Sequence, residues 1–96
     1  MAEGYRMFED ILPLEEVDNH ENPIIQYHFI NPSKDWEWWI CAGEKLGHDN
    51  DYYFFGIGKI ITKEMGFMTL NQIREYGGIL DETWEQNKGL YDILKE

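Results

Sequence analysis

Apolar positions follow two different periods along this chain. Near the N-terminus Tyr5, Phe8, Ile11 and Leu12 stand at i, i+3, i+6 and i+7, one stripe of a 3.6-residue period. Pro13 disfavours the α conformation at Leu12, so the pattern predicts a short amphipathic helix over about 4–12 with Glu9 and Asp10 turned to water. Asp18–Pro23 is polar and reads as a loop. From Ile24 the period falls to two. Ile25, Tyr27 and Phe29 alternate with Ile24, Gln26, His28 and Ile30, which predicts a strand over 24–30. The turn formers Asn31-Pro32-Ser33-Lys34-Asp35 then reverse the chain. A second strand, 36–41, sets Trp36, Trp38 and Ile40 against Glu37, Trp39 and Cys41, completing an antiparallel hairpin.

Gly43–Asp51 reads as a polar loop, and 52–61 as a long aromatic and β-branched strand. Gly56 and Gly58 share one face of it, the mark of a bulge or of a close backbone approach. A short strand at 66–68 follows. Thr69 and Gln72 stand at the two positions of a capping box, with Met68 and Ile73 at the staple positions and Gly77-Gly78 as the stop, so 70–76 is predicted to be a helix. Trp84, Leu90, Tyr91 and Leu94 fit a helical face interrupted by Gly89. The expected fold is α+β: one domain over residues 1–96, an antiparallel sheet of three to four strands, and one or two short helices on one face.

The stretch Phe29-x-x-Pro32-x-x-x-Trp36-x-Trp38-Trp39 resembles the signature of a family of small acidic proteins, labelled only as a domain of unknown function, that occur on plasmids, phages and integrative elements. Phe54-Phe55-Gly56 and Glu64-Met65-Gly66-Phe67-Met68-Thr69-Leu70-Asn71-Gln72-Ile73 are similar to its next two motifs, and Leu12-Pro13-Leu14 to its exit from the first helix. The correspondence covers residues 11–80. It implies no catalytic residues. It implies a setting, mobile elements, in which small acidic proteins antagonise restriction or CRISPR systems.

Charge sharpens that expectation. Nineteen acids against eight bases leave a net charge of −11, and residues 1–21 hold seven acids against Arg6 alone. Such a balance repels nucleic acid and anionic lipid, so direct binding to either is not expected. No apolar run approaches the ~18 residues of a membrane span, and nothing at the start reads as a signal peptide. One cysteine, Cys41, fits a reducing, cytoplasmic setting. His20, His28, His48 and Cys41 lack zinc spacing, and Asp49-Asn50-Asp51 lacks the glycine of a calcium loop, so neither metal nor cofactor is expected. Gly56-Ile57-Gly58-Lys59 is not a phosphate-binding loop. The expected function is therefore non-enzymatic: a protein-binding inhibitor acting on a host defence nucleoprotein, a CRISPR effector or restriction enzyme with a basic surface. The alternative is an interaction or adaptor module in plasmid or phage replication, regulation or transfer.

Two features carry the expected contact. Glu9, Asp10, Glu15, Glu16 and Asp18 read either as a solvated, solubilising surface or as a mimic of nucleic-acid charge, which needs many carboxylates on one face because B-DNA carries one charge per ~1.7 Å of axis. Trp39 lies opposite Trp36 and Trp38 in the alternation. With a core on one side of the sheet only, it becomes the exposed aromatic anchor.

Overall fold

Strands form within the period-two stretches but with shifted ends: 27–31 is strand against the expected 24–30, and 51–59 against the expected 52–61. In the computed structural model, which describes residues 8–47 and 51–96, β1 (Tyr27–Asn31), β2 (Trp36–Leu46), β3 (Asp51–Lys59), β4 (Lys63–Thr69) and β5 (Ile79–Leu80) make one antiparallel sheet in the order β4-β3-β2-β1-β5. The first four strands are a meander, and β5 returns to the far edge to pair Leu80 with Phe29. The sheet has five strands where three to four were expected. A two-residue strand carries too little alternation to be read from sequence. β2 also runs to Leu46 through residues expected to be loop, because Glu44 and Lys45 keep their pairing with Tyr53 and Tyr52.

The expected turn and helix chemistry is present in detail. Asn31 Oδ1 accepts from Ser33 N at 3.1 Å and Lys34 N at 3.3 Å, which folds the β1–β2 turn. Helix α1 (Leu70–Glu75) begins in a reciprocal capping box: Gln72 N donates to Thr69 Oγ1 at 3.1 Å, and Thr69 N to Gln72 Oε1 at 3.0 Å. It ends in a Schellman motif, with Gly78 N donating to Ile73 O, Gly77 N to Arg74 O, and Gly77 at φ 77°. The buried carboxylate of Asp51 adds a second N-terminal cap by accepting from Asn71 N at 2.9 Å.

The N-terminal helix is not observed among the described residues; 1–7 lie outside them, and 8–12 are turn, bend and irregular chain. Leu12 spends its backbone groups on the sheet instead. Its N donates to Gln26 Oε1 at 3.3 Å and its O accepts from Gly43 N at 2.9 Å. The segment is a strap across the end of the sheet. Phe8 and Ile11 pack on one face, while Leu12 and, within a 3-10 helix (Leu14–Asn19), Leu14 and Val17 pack on the other.

Both faces of the sheet are therefore covered. The first core holds Phe8, Phe29, Trp38, Ile40, Tyr52 and Phe54 beneath Leu70 and Ile73 of α1. The second holds Ile25, Trp39, Cys41, Ala42 and Ile57 beneath Leu90 and Ile93 of a C-terminal helix, α2 (Leu90–Lys95). The expectation of helices on one face is corrected here: Gly89 does not interrupt α2 but is its N-cap, so the helix starts after it and covers the second face. Lys63 clasps that helix. Its Nζ lies 5.8 Å from the Trp39 ring centroid and donates to the carbonyls of Ile93 and Glu96, each at 2.8 Å. Lys63→Met keeps the stem and removes the donors; it should destabilise the fold by about 1–2 kcal/mol in urea titration, part of the usual charged hydrogen-bond value being lost to solvent.

Candidate interaction surface

None of the three clustered tryptophans is free for a partner. Trp38 is 4% exposed and Trp39 5%, and half-buried Trp36 packs against the first core with its ring 5.8 Å from that of Tyr76. Trp39 as exposed anchor is thus overturned. The alternation places it opposite Trp38 as expected, but the opposite face is itself a core.

Beside Trp39 lies a polar cluster that the histidine spacing did not reveal. The His28 ring sits between Trp39, 5.5 Å away, and Trp84, 4.9 Å away. Its Nδ1 is 2.8 Å from Asp81 Oδ2 and its Nε2 2.9 Å from Glu37 Oε1. Ionised carboxylates only accept, so both contacts are hydrogen bonds when both ring nitrogens carry protons. Hydrogen bonds from Thr83 and then from His28 hold the Asp81 carboxyl below the usual carboxylate range. The cluster ties β1 to β2 and to the chain beyond β5. Both ring nitrogens are taken up by carboxylates of the protein itself, so neither faces an open site. Cys41 is equally unsuited to nucleophilic work: burial pushes its thiol up to about 12, and its Sγ points to Phe55 O at 3.5 Å. Among the described residues no group of three or more His, Cys, Asp or Glu side chains is arranged to hold a metal ion.

The acidic positions are set out by the strap. Glu9, Asp10, Glu15 and Asp18 are exposed and Glu16 half-buried. No described ion pair neutralises any of them; Glu16 only accepts from Asn19 Nδ2 at 3.0 Å. Glu9 and Asp10 belong to the first face. Burial chiefly, then the charges of Asp10 and Glu9 respectively, raise the hydroxyls of Tyr27 and Tyr52 above the ordinary tyrosine value. Glu15, Glu16 and Asp18 ride the 3-10 helix on the second face. The five carboxylates therefore form a belt around one end of the sheet, not a patch on one face.

Where the belt reaches the second face it meets exposed apolar surface. A shallow groove of about 170 Å³ is lined by Leu14, Val17, Asp18, Phe55 and Phe67. Phe67 is 58% exposed, stacks on Tyr53 at 5.1 Å and leans on Phe55 at 5.0 Å. Met65, also exposed, extends the patch along β4. The short strand expected at 66–68 hid this surface. Read over 63–69, the same alternation brings Met65 and Phe67 beside Ile57 and Phe55. No described helix is long and apolar enough to cross a membrane. No family model, curated protein or solved structure matches the chain.

Proposed function

We infer that the chain is a non-enzymatic protein-binding inhibitor whose contact surface is the acidic belt together with the Phe55–Phe67 groove. The observation that carries this reading is the meeting of the two at Asp18: uncompensated carboxylates adjoin an exposed aromatic patch, the pairing of charged rim and apolar anchor that protein interfaces use. A belt of carboxylates around one end of the sheet, rather than the single acidic face that charge mimicry asks for, suits an Arg/Lys-lined surface that takes in that end. Charge complementarity of that kind raises association rate and suppresses wrong partners. Surfaces of that chemistry bind nucleic acid. Together with the mobile-element resemblance, this supports a host defence nucleoprotein as target, a CRISPR effector or restriction enzyme. The buried thiol and the fully engaged histidine support a role without catalysis. The second reading, an adaptor in replication, regulation or transfer, is favoured by the outer edge of β4, which ends the sheet and offers backbone groups as a further contact surface.

Affinity capture from host extract with mass spectrometry names the partner; substitution then tests the surface. Reversing Glu9, Asp10, Glu15, Glu16 and Asp18 to Lys should abolish partner binding, while each exposed change alters stability by no more than ~0.5 kcal/mol. Reversing Glu75, Glu82 and Glu85 to Lys, exposed acids outside the belt, should leave binding largely intact. Excess duplex DNA or guide RNA should displace the protein from its partner. Equal binding with and without saturating nucleic acid, together with binding by the five-site variant, would make the belt a solubility feature and favour the adaptor.

A further inference from the structure

The sheet has one guarded edge and one open edge. Beside β1, the far edge is occupied by β5 at Phe29 and Ile30 and by the tail at Ile24, which bridges Gly89. At the other side β4 ends the sheet over seven residues. Natural edges of that length are blunted by a proline, a bulge or an outward lysine. β4 has no proline, and its register with β3 runs without a shift from Lys63 to Thr69. Its one lysine is not a guard, because Lys63 Nζ is drawn in to the carbonyls of α2.

The direction of the unpaired backbone groups follows from the ladder. Thr69 N donates to Gln72 Oε1 rather than to β3. On the inner side, Gly43 N, opposite Phe54, donates away from β3 to Leu12 O. Antiparallel pairs alternate between bonded and non-bonded. Phe54, Gly56 and Gly58 therefore bond to Met68, Gly66 and Glu64, and Lys63, Met65 and Phe67 present their N–H and C=O groups outward.

We propose that this edge pairs with the same edge of a second copy, β4 against β4 in antiparallel register about a two-fold axis through Gly66, making one ten-stranded sheet. Three observations choose a second copy. Only the register centred on Gly66 pairs all seven residues of the strand, and in it the outward-facing Met65 and Phe67 meet as bonded partners. The strand reads apolar-Gly-apolar about that centre, so Met65 of one copy lies beside Phe67 of the other on the patch already exposed in the monomer. No like charges meet: Glu64 falls opposite Met68 and Lys63 opposite Thr69. Gly66 gains a reason in this arrangement. Within the chain a Cβ there would touch nothing within 4 Å, yet at a non-bonded two-fold position the Cα atoms approach to about 4.5 Å. The occupant is favoured locally and opposed globally, since each copy carries −11.

That opposition makes the test distinctive. In sedimentation and light scattering the mass of the full chain should rise with concentration from 11.5 kDa toward twice that value, and rise further as salt screens the repulsion. The dimer covers Phe67, which the proposed partner surface also uses, so the two contacts compete there. A contact made by the acidic belt with a basic partner weakens with salt whereas the dimer strengthens, which keeps the two tests apart. Met65→Glu should weaken dimerisation by about tenfold, because two-fold symmetry changes both Met65–Phe67 pairs at once. Adding Phe67→Lys to it should recover part of the loss, Glu now facing Lys across the axis. Gly66→Cys should form a covalent dimer under mild oxidation, its Cα separation lying at the short end of the roughly 4.4–6.8 Å that disulfides span. Glu64→Cys and Met68→Cys alone should not. Circular dichroism of each variant reads the fold separately. A mass fixed at 11.5 kDa across concentration and salt, no covalent dimer from Gly66→Cys, or pairing with a foreign strand in place of a second copy overturns the proposal.

Discussion

Replacing Trp39 with alanine is expected to cost about 3–5 kcal/mol, the range for emptying a large aromatic site in a core. The indole is 5% exposed, stacks on His28 and lies beneath the Lys63 ammonium, and its cluster joins β2 and β3 to α2. The cavity would open under a six-residue helix that cannot hold itself together in isolation. Against a whole-fold stability of about 5–15 kcal/mol for small proteins, the loss removes a large fraction. Urea unfolding followed by far-ultraviolet circular dichroism checks it, since fluorescence loses a reporter in the variant. A loss under about 1 kcal/mol, the size seen at surface sites, would return Trp39 to the candidate contact residues.

Gly56→Ala is expected to be nearly as damaging although it adds one methyl group, at about 3 kcal/mol or more. A Cβ at Gly56 would stand 1.9 Å from the carbonyl oxygen of Trp39, 2.9 Å from its carbonyl carbon and 3.0 Å from the Cα of Ile40. All three are backbone atoms, so no side chain can rotate out of the way. The crowding comes from the register shift between Ile40 and Ala42, directly opposite Gly56. Gly58→Ala is the control. There the nearest atom is Trp38 Cδ1 at 3.4 Å, ordinary contact, and the cost should be much smaller in the same titration.

What the sequence made legible was local. The capping box at Thr69, the stop at Gly77-Gly78 and the turn at Asn31–Asp35 each rest on residues within a few positions of one another, and each stands as read. The close backbone approach expected at Gly56 and Gly58 is present at Gly56 alone; only the Trp38 side chain lies near Gly58. The failures share a cause at longer range. The N-terminal stripe of apolar residues fits a helix period, yet Leu12 is claimed by Gln26 and Gly43. Trp39 was placed on the correct face but judged exposed, because the helix that buries it lies some fifty residues further on, behind a glycine that resembles an interruption. Glu9, Asp10, Glu15 and Asp18 are exposed and Glu16 is half-buried; their division between two faces depends on the strap. Phe67 and Met65 escaped notice for a simpler reason: their strand was read three residues long and is seven.

Cys41 gives this architecture an internal clock. The tail joins the sheet through contacts that span most of the chain, with Ile25 N donating to Lys88 O and Leu90 N to Pro23 O, whereas the hairpins before it close over short turns. Loop closure over such spans carries a larger entropic cost than closing the hairpins. While the tail is seated, the thiol beneath it is unreactive at neutral pH because burial keeps it protonated. Each opening returns it to an ordinary, ionisable cysteine. The rate at which a thiol reagent labels the native protein then reports how readily the second face comes uncovered, with no engineered probe required.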